Sequence, residues 1–92
     1  MNAFEPWRQF VTRAEREGWQ IVTQPERGHY YGRTEVRRRE GREYTYVAIE
    51  TDSAGRIIRA NISYGADRMR GRSPRGNKRQ AALAWLGGLS RG

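Results

Sequence analysis

The chain has no cysteine, which excludes disulfides and thiolate-bound metal. Its single histidine, His29, has no carboxylate pair at ligand spacing beside it, so neither a protein metal site nor a cofactor is expected. No apolar run approaches the ~20 residues that a membrane helix needs. The first residues also lack the basic-then-apolar pattern of a secretory signal, and the expected location is the cytoplasm. Lysine is nearly absent, Lys78 standing alone against 17 arginines. The most localised absence is of negative charge. From Arg68 to Arg79 there is no Asp or Glu, while Arg68, Arg70, Arg72, Arg75, Lys78 and Arg79 are all positive.

What is present fits one small domain, residues 1–92, with room for a single modest core. The formal charge of +8 exceeds what solubility requires and favours polyanionic partners. Nucleic acid, RNA or DNA, is the first candidate, and an acidic protein surface is the second. Guanidinium groups suit the first, since they bond phosphate bidentately and stack on bases. The ratio of arginine to lysine also follows from GC-rich coding, so the net charge carries the argument.

Periodicity sets the elements. Trp7, Phe10, Val11 and Ala14 recur at the helical spacing, with Pro6 suited to the first turn and Gly18 to the stop, which predicts a helix over 6–17. A short extended stretch follows from Trp19 to Gln24, then a turn at Pro25-Glu26-Arg27-Gly28. Strands are predicted over 29–39, 43–51 and 56–64, joined by turns at Glu40-Gly41-Arg42 and Asp52-Ser53-Ala54-Gly55. A last helix carries Ala82, Leu83, Trp85, Leu86 and Leu89, with Asn77 or Ser73 as its N-cap. The expected fold class is α+β: an antiparallel meander of three to four strands, with an N-terminal and a C-terminal helix packed on one face.

Alternation along the strands then divides the sheet's two faces. The inward set is Val36 with Tyr30, then Val47 and Ile49, then Ile58, Ile62 and Tyr64. The opposite face shows Tyr31, Arg33, Arg37, Arg39, Tyr44, Tyr46, Arg59 and Asn61, with Glu35 and Glu50 among them. Arginines interleaved with tyrosines suit single-stranded nucleic acid, because bases stack on rings while cations hold the backbone. The same pattern also serves a solvated sheet, where Arg–Tyr and Arg–Glu pairs across strands stabilise the fold itself. Arg37-Arg38-Arg39, with Arg42 across the turn, marks a second positive point at a hairpin tip, where charge also blocks unwanted edge pairing.

Three resemblances bear on these residues. The run Tyr44-Thr45-Tyr46-Val47-Ala48-Ile49 through Gly55 to Ile62, followed by Asn77-Lys78-Arg79-Gln80-Ala81-Ala82, is similar to a double-stranded-RNA-binding domain. That resemblance covers about the last half of the chain and implies that Lys78 and Arg79 contact phosphates. The chain departs from the family at Ala82, where a lysine is the rule, in lacking a Gly-Pro-x-His loop, and in a longer loop before the helix. Glu17-Gly18-Trp19-Gln20-Ile21-Val22 with Gly28-His29-Tyr30-Tyr31 looks like the start of a HicA-type toxin, which implies the same helix–sheet–helix fold and an RNA-cleaving His29. Tyr44 through Asp52, Gly55 and Arg56 to the alanine-rich helix resembles the arm-binding domains of phage integrases, which read DNA with the sheet.

No catalytic constellation of Ser-His-Asp order, nucleotide-binding glycine loop or carboxylate pair is recognisable, so His29 is the one candidate for catalysis. Apart from that family likeness, it reads as the polar first residue of a strand. The leading expectation is a nucleic-acid-binding module that grips phosphates with residues 68–79. The alternative is a phage- or mobile-element-type inhibitor docking on an acidic host protein, with Trp85, Trp19 or Tyr44 as its anchors.

Overall fold

The computed structural model describes residues 5–25, 32–65 and 77–87, and their order is the α-β-β-β-β-α expected. The first helix, α1, spans Glu5–Arg16 and turns Phe10 and Ala14 fully into the core. Its end is a Schellman motif. Gly18 takes φ +84 and donates to the Glu15 carbonyl at 3.1 Å, while the Trp19 amide donates to the Ala14 carbonyl at 2.9 Å. That geometry drops the Trp19 ring beside Ala14 in the core and fixes where the sheet begins.

The sheet runs in the order β1 (Gln20–Thr23), β2 (Gly32–Glu40), β3 (Glu43–Thr51) and β4 (Ile57–Tyr64), with every neighbouring pair antiparallel. Its register stacks Val36, Val47 and Ile62 in one row and Thr34, Ile49 and Ala60 in the next. These are buried, as period-2 alternation requires of one covered face. Thr34, the polar member of those two rows, accepts from the Trp7 indole N–H at 2.8 Å. A two-residue turn, Gly41-Arg42, joins β2 to β3, with Gly41 at φ +67 following the sheet's own twist.

The β3–β4 turn is organised by Asp52, whose Oδ1 accepts the amides of Ala54 at 2.9 Å and Arg56 at 3.0 Å. The Arg56 side chain bonds Oδ2 at 2.9 Å. These bonds, the Arg56 amide first, hold the carboxyl below its ordinary pKa. The turn leaves a bulge beside it, where Glu50 pairs with Arg59 but Thr51 pairs with Ile57. Ile58 is therefore the unpaired residue and stands 48% exposed, contrary to the inward position that alternation predicts, and Ile57 packs against the core in its place.

The second helix, α2, spans Lys78–Leu86. Asn77 rather than Ser73 is its N-cap, its side chain accepting the Gln80 amide at 2.9 Å. Ala82, Trp85 and Leu86 are buried against the same sheet face as α1. The free Leu86 carbonyl at the helix end accepts from the Trp19 indole at 2.8 Å and from Arg38 at 3.4 Å. Arg38 also bonds the Glu17 carbonyl at 3.1 Å and lies 4.6 Å over the Trp19 ring. One guanidinium thus joins the ends of both helices to β2, where the negative end of a helix favours a cation.

Candidate functional site

The positive side chains singled out from the sequence occupy three described regions, and their surroundings differ. The outer face of the sheet carries Arg33, Arg37, Arg39, Tyr44, Tyr46 and Arg59, as the strand parity predicts. Each cation there has a neighbour. Arg33 sits 3.2 Å from the buried Glu35 carboxylate, and Arg59 sits 3.6 Å from Glu50 across the strand pair. Arg37 lies 4.4 Å over the Tyr44 ring and bonds the Gln20 side chain at 2.9 Å. Arg39 bonds the Gly41 carbonyl at 3.1 Å. Tyr46, expected as an open stacking platform, is only 9% exposed. It lies between the Arg37 and Ser63 positions, beside Tyr44, whose ring centroid is 6.2 Å away. Cross-strand neighbours therefore answer Arg37 and Arg59, as anticipated from the sequence, while Arg33 and Arg39 are answered within β2 and its turn.

The hairpin tip does not form one positive point. Arg37 and Arg39 point outward, but Arg38 alternates to the helix side and is engaged there with Glu40 and the two helix-end carbonyls. Arg42 alone remains exposed without a partner among the described residues.

The third region is the start of α2. Lys78 and Arg79 occupy its first turn, and that turn holds no acidic residue. Arg79 donates to the Gln9 side chain of α1, and Lys78 has no partner among the described residues. The rest of the basic segment, Arg68, Arg70, Arg72 and Arg75, lies outside the described residues, as do His29, Tyr30, Tyr31 and Leu89. No family model, curated protein or solved structure matches this chain. The site therefore has to be judged on its own geometry.

That geometry adds residues that the sequence reading passed over. Arg8, Arg13 and Arg16 of α1 line an open groove of about 380 Å³ against Leu83 of α2. Arg13 is paired with Glu17 at 3.2 Å, whereas Arg8 and Arg16 have no partner among the described residues. Their signal was available: once Trp7, Phe10 and Ala14 face inward, residues 8, 12 and 16 must share the outer stripe of the helix. Among the described residues no three metal-ligating side chains cluster, and no helix is long and apolar enough to cross a membrane.

Proposed function

We propose that this protein is a small nucleic-acid-binding module that grips phosphates through the basic segment 68–79, which runs into the start of α2. The observation that carries this reading is the first turn of α2, which holds two bases and no acid. A helix N-terminus already bears partial positive charge and is stabilised by acids, each typically by about 0.3–1 kcal/mol. Lys78 and Arg79 oppose that preference, so their place is poor for helix stability and well suited to an anion. The four arginines that precede them in sequence raise the charge at the same end of the chain. This is also where the likeness to double-stranded-RNA-binding domains would put phosphate contacts.

Docking on an acidic host protein fits less well. Two of its three anchors, Trp19 and Trp85, are buried in the core, and the third, Tyr44, is half-buried beneath Arg37. Cleavage of RNA in the manner of HicA-type toxins rests on His29 alone and draws no support from the described residues. The test is a variant in which Arg70, Arg72, Arg75, Lys78 and Arg79 are all glutamine. It should keep its circular dichroism spectrum and lose oligonucleotide binding at physiological salt. Unchanged binding would remove the grip from this segment.

A further inference from the structure

The groove between the two helices is the feature that this reading does not use. Gln9 meets Arg79 at the start of α2, and Arg13 lies 3.4 Å from where a side chain on Gly87 would begin. The helices therefore run in the same direction, and Gln9, which lines the groove, is bonded to Arg79 at the basic start of α2. Its wall on the α1 side is Arg8, Thr12, Arg13 and Arg16, with Gln9 beside them. Among the described residues no carboxylate and no aromatic ring lines it. Arg8 and Arg16 are eight positions apart, roughly 12 Å along the axis at 1.5 Å per residue. Phosphates of one strand are spaced at about 3.4 Å along a duplex, so the two guanidiniums span several consecutive ones.

We infer that this groove is a second contact for the same nucleic acid, taking its phosphodiester backbone between Arg8 and Arg16 as an extension of the grip at Lys78 and Arg79. The inference rests on the module reading above. Because none of its described lining residues carries a ring, it adds charge and hydrogen bonding without base stacking, so its contribution is indifferent to base sequence. It also sets the path of the ligand, which crosses the helix layer rather than the outer face of the sheet. The Glu17 carboxylate restrains Arg13, and removing it gives the groove a third free cation.

The experiment measures binding of a labelled DNA duplex against salt for the parent, an R8Q/R16Q variant, an E17Q variant and a K78Q/R79Q variant. Arg8 and Arg16 touch no described partner, so their replacement should leave the thermal unfolding midpoint in place. Two lost phosphate contacts should lower the slope of log affinity against log salt by about 1.8. The loss should be equal for two duplexes of unrelated sequence, and E17Q should bind more tightly than the parent. If R8Q/R16Q keeps the parent slope while K78Q/R79Q loses its own, the groove inference is overturned and the module reading stands. If the parent binds neither this duplex nor a labelled single strand titrated beside it, both fall together.

Discussion

On the outer face of the sheet, Arg33 and Arg59 each lean on a carboxylate and Arg37 covers a tyrosine ring, whereas on the helix side Arg8, Arg16 and Lys78 meet no described partner. The two regions are comparably rich in arginine, so counting charge does not distinguish them. What differs is whether the charge is answered within the fold. A cross-strand pair is part of the sheet's stability and must be broken before a ligand can use it. Lys78, unanswered in the first turn of α2, has no such competitor among the described residues. Arg13, Arg79 and Arg38 are the exceptions on the helix side: Arg13 pairs with Glu17, Arg79 bonds Gln9, and Arg38 caps two helix ends and stacks on Trp19.

The comparison can be broken most sharply at the start of α2. Reversing the charge of both Lys78 and Arg79 to glutamate should cut affinity for nucleic acid at least about tenfold and flatten its salt dependence. The same change should raise stability by about 0.5–1 kcal/mol, because acids belong at that end of a helix. Thermal unfolding and anisotropy on one sample would show the opposed signs. A loss of stability would mean that the two bases are structural.

Next in size is Arg38→Met, which should cost about 2 kcal/mol of stability through lost helix-end bonds and ring contact. Measured in urea, it should leave the salt dependence of binding as in the parent, because this arginine faces the fold. The smallest effect belongs to the sheet face. Replacing Arg37 with glutamine and Tyr44 with alanine should cost about 0.5–1 kcal/mol and leave the salt slope of binding unchanged. A large loss of affinity there, with stability intact, would restore the sheet as the binding surface.

The strands and their faces were legible because one covered face imposes strict alternation, and the register of Val36, Val47 and Ile62 obeys it. Ile58 escaped that logic. Its position depends on the hydrogen bonds of the Asp52 turn, which insert a bulge that no local pattern announces. Arg37-Arg38-Arg39 reads as one charge cluster along the chain, yet the same alternation sends its middle member to the opposite side. Trp19 and Trp85 read as candidate anchors in the sequence, and both are packed into the core. Arg16 went unnoticed because it sits between Glu15 and Glu17 in sequence, and Arg8 because it stands singly between Trp7 and Gln9. Only the helix geometry, with α2 alongside, gathers them into one groove.

The most direct measurement is fluorescence anisotropy of the parent protein with single- and double-stranded RNA and DNA probes, each titrated at low and at physiological salt. The account predicts affinity that falls linearly on the log–log scale, with a preference among the four probes that persists at physiological salt. Weak and equal binding to all four that vanishes as salt rises would contradict it, leaving the positive charge without a nucleic-acid partner.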